Sequence, residues 1–170
     1  MRKYLFLFLF FSISLNYSQD RKEIEVKRFQ TPPVIDGKLN DLHWLNSNPA
    51  KNFERWMPNN GSKEKKGYEN LVYMGYDDNN IYIAGILKNP NTIPIELSQR
   101  DNIWDVNAET FFVSINTYDD NINYQGFQVT SAGTQGDMYT SVEMSPTDWD
   151  FDTVFELSLI HISEPTRRTP

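Results

Sequence analysis

Few residues of this chain belong to the types that carry out covalent or metal chemistry. Its 170 residues include no cysteine and two histidines, His43 and His161. Lack of cysteine excludes disulfides, thiolate metal sites and cysteine nucleophiles. A Ser-His-Asp triad would need one of the two histidines, and the sequence contains no GxSxG, P-loop or HExxH motif. These residue types favour a binding protein over an enzyme.

Carboxylates are the abundant chemical groups, with 23 acidic side chains in the chain. In so acidic a sequence some pair always lies at the separation of glycosidase acids, and residue type alone does not single one out. Two oxygen-rich clusters, at residues 77–80 and 119–121, lack the twelve-residue EF-hand pattern. Asp and Asn clusters of this kind are typical of turns.

Both ends of the chain differ in character from its middle. Residues 1–18 begin with Met-Arg-Lys and continue as an apolar run, which predicts a secretory signal peptide cleaved after Ser18. An uncleaved membrane anchor is the alternative, although the run is short for a bilayer span. Residues 158–170 carry prolines and arginines and resemble translated sequencing-adapter sequence, which predicts a non-native tail. A genuine flexible tail is the alternative.

The middle of the chain, residues 20–157, is more acidic than the whole. Removing the two ends takes away four of 16 basic and one of 23 acidic side chains, so the net charge falls from −7 to −10. Nucleic acid is therefore not an expected partner, because phosphate binding needs a basic footprint. His43 is the one histidine of this middle part, which excludes a multi-histidine zinc site there.

In the segments that must position any site, polar and apolar residues alternate with period two, as they do in half-buried strands. Residues 23–29 predict a strand that ends at a Pro-Pro pair. Residues 71–76 and 81–87 flank four turn-forming residues and predict a hairpin. The second run is apolar on both faces, which predicts a central strand. Asn40 is the expected cap of a short helix over residues 41–45.

A second hairpin is predicted to pair residues 110–117 with residues 124–130. On one face of it, three residues of the first strand meet two of the second: Phe111, Val113, Ile115, Phe127 and Val129. Residues 137–143 and 152–157 predict further strands. About eight short strands with turns between them indicate an all-β fold, an antiparallel β-sandwich of jelly-roll type whose C-terminal part is missing.

Several motifs then occur in an order that resembles carbohydrate-binding module family 9. They are residues 33–39 (Pro-Val-Ile-Asp-Gly-Lys-Leu) with Trp44 after them, the hairpin at 76–83, and residues 112–117 (Phe-Val-Ser-Ile-Asn-Thr). The resemblance covers about residues 32–157. The chain is similar to a domain at the N-terminus of large secreted proteins of Bacteroidetes, where this domain precedes a region that resembles an outer-membrane barrel.

The resemblance implies a sugar site in which an indole stacks on the C–H face of a pyranose while polar side chains bind its hydroxyls. Trp104 fits the tryptophan that precedes the family's Phe-x-Val strand, displaced by two residues or so. Polar neighbours in the same loop are the expected hydroxyl ligands: Arg100, Asp101, Asn102, Asp105 and Asn107. A core role for Trp104 is the alternative, as tryptophan is usually well buried. Trp44 is expected in the core, and Trp149 either at the binding face or at a strand edge.

The family also binds structural calcium, and one of its ligand positions corresponds to Asn89. Asn89 supplies a carbonyl oxygen without charge, so it is a weak calcium candidate. Family members accompany glycoside hydrolases, which implies that this domain binds carbohydrate for a system that hydrolyses O-glycosyl bonds. The expected partners are an oligo- or polysaccharide and a C-terminal barrel of the same protein.

The expected location is the periplasm, outer membrane or surface of a Gram-negative bacterium. The alternative function is a structural or interaction domain on an outer-membrane barrel that binds no sugar, for which Trp104 is expected to be buried.

Overall fold

The computed structural model describes residues 22–141 and 147–161. The predicted signal peptide, residues 1–18, and most of the predicted tail lie outside the described residues. Six strands and one short helix are present in the described part: β1 Lys27–Arg28, α1 Leu42–Leu45, β2 Leu71–Tyr76, β3 Ile81–Ile86, β4 Thr110–Ile115, β5 Asn123–Thr130 and β6 Gln135–Ser141. The predicted all-β class is confirmed.

The strands form two sheets of three, in the orders β1-β2-β3 and β4-β5-β6. β2 and β3 pair antiparallel across the turn at residues 77–80, and β1 pairs with β2 in parallel. The two sheets approach where Gly85 faces β4, since a Cβ built on Gly85 would lie 3.7 Å from Cζ of Phe111. This arrangement is consistent with a sandwich-like fold, and the jelly-roll strand order stays a prediction.

The first sheet buries an aromatic core beneath the short helix. Phe29, Trp44 and Tyr82 are each less than 10% exposed, and the Phe29 ring meets the Trp44 ring edge to face at 5.5 Å. Gly75 of β2 leaves room for the Phe29 ring, because a Cβ there would come within 2.1 Å of it. The predicted core position of Trp44 is confirmed, whereas Leu42, 72% exposed, points outward.

The second sheet follows the predicted hairpin closely. Phe111 pairs with Val129 and Val113 with Phe127, so the apolar side chains of β4 and β5 share one face, as expected from the alternation. β6 extends this sheet by pairing antiparallel with β5. The sheet thereby carries Asp137 of β6 beside Phe127, on the same face.

Several predicted element positions are wrong. Among the described residues β3 pairs with β2 alone and exposes Ile81 and Ile86, so it is an edge strand of the described sheet. The strand predicted over residues 23–29 shrinks to the two residues of β1. The N-cap position of the helix is Asp41 instead of Asn40, and its carboxylate makes no capping hydrogen bond but accepts the N–H of Val34.

Residues 151–161 form an extended segment without a named strand. Phe155 packs edge to face on Phe127 at 5.6 Å, and Phe151 lies 6.0 Å from the Tyr139 ring. Further along, a Cβ built on Gly37 would lie 3.0 Å from Ile160, and the His161 ring is 2.7 Å from the carbonyl oxygen of Ser131. The segment therefore contacts the second sheet at its start, and both the Gly37 turn and the β5–β6 connection at its end.

The contact between Gly75 and Phe29 makes a matched pair of glycine substitutions informative. We expect Gly75→Ala to destabilise the protein by about 1–3 kcal/mol, the usual cost of overpacking a core. Gly85→Ala is the control, because its new methyl group would meet other atoms only at 3.6 Å or more. Chemical denaturation of both variants measures this, and equal stability would contradict the described packing of Phe29.

The β2–β3 turn is tied by Asp77, whose pKa is lowered from 3.8 by the hydrogen bond from the Tyr82 hydroxyl, at 2.6 Å, and by backbone N–H donors of Asn79 and Asn80. A carboxylate with a lowered native pKa stabilises the fold above about pH 4, and that stabilisation is lost as the pH falls through the native pKa. We expect Tyr82→Phe to raise the pKa of Asp77 in an NMR titration. The difference in Tm from the wild type should shrink at acidic pH; an unshifted pKa would refute the contact.

Candidate functional site

The loop that carries Trp104 is fixed to β6 by its own backbone and by a buried side chain. Asp101 has a φ of 66°, a left-handed conformation that Asp tolerates better than most residues. In this conformation its N–H donates to the carbonyl of Gln135 and its carboxylate accepts the N–H of Asp137, both at 3.1 Å. Ile103 is buried, and a Cβ on Gly136 would lie 3.5 Å from it.

Arg100 joins this loop to two other parts of the chain. Its Nη2 donates to Asp137 at 2.6 Å, to Asp152 at 2.9 Å and to the carbonyl of Thr153 at 3.0 Å. Its Nη1 donates to Gln135 at 3.2 Å. Most of the guanidinium donors are therefore used within the protein.

Asp137 is the buried centre of this network, with a fully inaccessible side chain. One carboxylate oxygen accepts from Arg100, and the other accepts the N–H of Thr153 at 2.5 Å. The Thr153 N–H and carbonyl are thus both occupied by side chains. Residues 152–157, predicted to be a strand, form no ladder with the described residues although their exposure alternates, and at Thr153 the side chains of Arg100 and Asp137 take the place of strand partners.

Trp149 lies in the segment that precedes Thr153. The adjacent Asp148 forms a two-way backbone bridge with Tyr139 of β6, with N···O distances of 3.0 and 2.8 Å. The segment is therefore attached to β6 on one side of Trp149 by this bridge and on the other by the Thr153–Asp137 hydrogen bond.

The two anchored segments bring Trp104 and Trp149 together. Their ring centroids are 5.6 Å apart with an interplanar angle of 81°, and the side chains are 67% and 41% exposed. An edge-to-face pair covers at most one face of one ring, and the exposure of both side chains leaves part of the indole surface open to solvent. We call this pair the aromatic corner. The core role that was the alternative for Trp104 does not agree with this exposure.

The other predicted site residues divide into two groups. Arg100 and Asp101 are engaged in anchoring the loop, so their side chains hold the site in place. Asn102 and Asp105 are exposed and make no side-chain hydrogen bond to the described part of the chain, which leaves them available to a ligand. Asn107 donates its backbone N–H to Glu96 at 2.7 Å.

Sequence reasoning missed Asp137 and left the role of Trp149 open. Asp137 lies on the same face of the sheet as Phe127. An acidic residue on an apolar face indicates a buried charge that needs a partner.

The surroundings of Asn89 are those of a turn, and calcium binding there stays a prediction. Its amide oxygen accepts the N–H of Asn91 at 2.8 Å, and its amide nitrogen donates to Glu109. Within residues 22–141 and 147–161 no cluster of three or more acidic or histidine side chains could hold a metal ion.

His43 is a packed residue beside the core. Its Nε2 lies 3.1 Å from the Thr31 hydroxyl, and its ring meets Phe29 edge to face at 5.0 Å. The only helix of the described part has four residues, so no described helix is long and apolar enough to cross a membrane.

Comparison with known proteins found no matching family model, no matching curated protein and no matching solved structure. The class of the protein therefore follows from its fold and site alone: an all-β domain with an exposed, anchored pair of tryptophans. The resemblance to carbohydrate-binding module family 9 stays a prediction.

Two acids that bind the same guanidinium provide a matched test of the anchoring network. Asp137→Ala leaves Arg100 without its buried partner and should destabilise the protein by about 3 kcal/mol, the cost of breaking a buried pair. Asp152→Ala removes a partner that is 78% exposed, and its cost should stay below about 1 kcal/mol. Urea denaturation distinguishes the two; equal effects would show that Asp137 does not anchor the network.

Proposed function

We propose that this chain is a carbohydrate-binding domain and that a sugar ring stacks on the aromatic corner. The observation that carries the proposal is the exposure of two contacting tryptophan rings on anchored backbone. Large apolar side chains left in water mark binding sites, because burial of an indole is strongly favourable. Trp104, the more exposed of the two at 67%, offers a flat indole face of the size of a sugar ring.

Carbohydrate is the ligand class that best combines with such a surface. A pyranose has an apolar C–H face and a rim of hydroxyls, and it therefore needs an aromatic platform beside polar groups. The exposed carboxylate of Asp105 and the exposed amide of Asn102 lie one and two residues from Trp104 in the chain. The resemblance to carbohydrate-binding module family 9 points to the same ligand class.

The near-perpendicular rings favour one stacking platform over a slot. Centroids 5.6 Å apart leave no space for a sugar between the rings. The sugar then stacks on an open face of one indole while the edge of the other supports it. A shallow site of this kind suits a chain of sugar units or a sugar end, with a Kd on the order of 0.1–1 mM.

The role of this binding is to hold a polysaccharide for a system that degrades it, outside the cytoplasm of a Gram-negative bacterium. In the alternative function, an interaction domain on an outer-membrane barrel, Trp104 is expected to be buried. The 67% exposure of Trp104 favours the sugar-binding role over that alternative.

A glycan array followed by calorimetric titration tests the proposal. We expect Trp104→Ala and Trp149→Ala each to weaken saccharide binding at least about tenfold, because either change removes part of the stacking surface. Trp56→Ala is the matched control, since Trp56 is also exposed, at 78%, but lies outside the aromatic corner. Its affinity should equal that of the wild type.

The proposal is overturned if no saccharide on the array binds the wild-type protein. It is also overturned if the Trp104→Ala and Trp149→Ala variants, shown by circular dichroism to be folded, bind as tightly as the wild type.

A further inference from the structure

A third exposed tryptophan lies at the tip of a different loop. Trp56 is 78% exposed and the adjacent Met57 is 73% exposed. Neither belongs to the aromatic core or to the aromatic corner. Two large apolar side chains in sequence, both turned to solvent, are an unfavourable surface for a protein that has no partner there.

The backbone holds this tip in a defined shape. Glu54 and Lys63 form an antiparallel bridge, and one step further out the N–H of Arg55 donates to the carbonyl of Ser62 at 2.8 Å. The N–H of Gly61 then donates back to the Arg55 carbonyl at 3.0 Å. The loop is therefore a narrow hairpin whose tip, residues 56–60, begins with Trp56 and Met57.

The charge around the tip is opposite to that of the rest of the chain. Residues 51–66 carry five basic and two acidic side chains, a net charge of +3, in a chain whose net charge is −7. One of the two acids, Glu54, is bound by Lys22 at 2.7 Å. Charges beyond a Debye length of about 8 Å are largely screened at physiological salt. Positive side chains therefore outnumber negative ones in the segment that carries the tip.

We propose that the tip, Trp56 and Met57, inserts into the interface of an anionic lipid bilayer, with the surrounding lysines bound to lipid headgroups. Tryptophan is enriched at the membrane interface because its ring is apolar and its N–H is polar. Lysine stems extend along apolar surface and place the ammonium at headgroup level. Anionic lipids attract such basic residues. This inference uses residues distinct from the aromatic corner and holds whether or not that corner binds sugar.

Sedimentation of the full chain with lipid vesicles tests the proposal. Vesicles of phosphatidylcholine alone are compared with vesicles that also contain phosphatidylglycerol. We expect the Trp56→Ala/Met57→Ala double variant to lower the partition coefficient on anionic vesicles about tenfold. The apolar N-terminal segment is common to all variants and contributes equally to each of them. The result is therefore the difference in partition coefficient between a variant and the wild type.

Two further variants separate the contributions of charge and of the other tryptophan. Lys63→Glu/Lys65→Glu/Lys66→Glu should remove the preference for phosphatidylglycerol and its salt dependence. Trp104→Ala is the control and should bind vesicles like the wild type. Sugar binding is expected to depend on Trp104 and Trp149, and vesicle binding on Trp56 and Met57. The failure of either proposal therefore leaves the other intact.

Three outcomes overturn the lipid proposal. The first is a double variant that binds anionic vesicles as well as the wild type. The second is equal binding of the wild type to both vesicle types. The third is quenching of Trp56 fluorescence by saccharide and not by brominated lipid, which would make the tip a sugar platform instead.

Discussion

The buried carboxylate of Asp137 is the constraint on which the candidate site depends. A charge with no access to water must be paired and hydrogen-bonded, since its desolvation is otherwise costly. Here the partners are the guanidinium of Arg100 and the backbone N–H of Thr153, which come from two segments without regular secondary structure. Satisfying one charge in β6 therefore fixes both segments against the same sheet.

The aromatic corner is a consequence of that constraint. Trp104 follows Arg100 by four residues and Trp149 precedes Thr153 by four, so each tryptophan is carried by a segment whose anchor is Asp137. Stiff anchoring lowers the entropy that a ligand must remove when it orders the site. Arg100 also lies over the Phe155 ring, 5.6 Å from its centroid, which adds a cation–π contact to the same node. The polar residues predicted to bind sugar hydroxyls thus have different roles. Arg100 holds the loop in place, because its guanidinium is hydrogen-bonded within the protein.

Local patterns in the sequence were sufficient to predict the two hairpins. The alternation of Phe111 and Val113 with their partners and the turn at 77–80 act over a few residues, so periodicity reveals them. The site depends on contacts that no local pattern encodes, such as that of Arg100 with Asp137, 37 positions later. The segment at 152–157 alternates like a strand, yet side chains occupy the backbone of Thr153, and tertiary contacts prevail over the pattern. Trp149 was visible in the sequence, but its place beside Trp104 follows only from these contacts.

The most direct test of a sugar site at the aromatic corner is ¹⁹F NMR of the protein labelled with 5-fluorotryptophan, titrated with a saccharide. The chain has four tryptophans, of which Trp44 is buried and the other three are exposed. We expect the resonances of Trp104 and Trp149 to shift together with one dissociation constant, while those of Trp44 and Trp56 stay in place. Saturating saccharide that moves neither resonance of the corner, or that moves Trp56 alone, would contradict it.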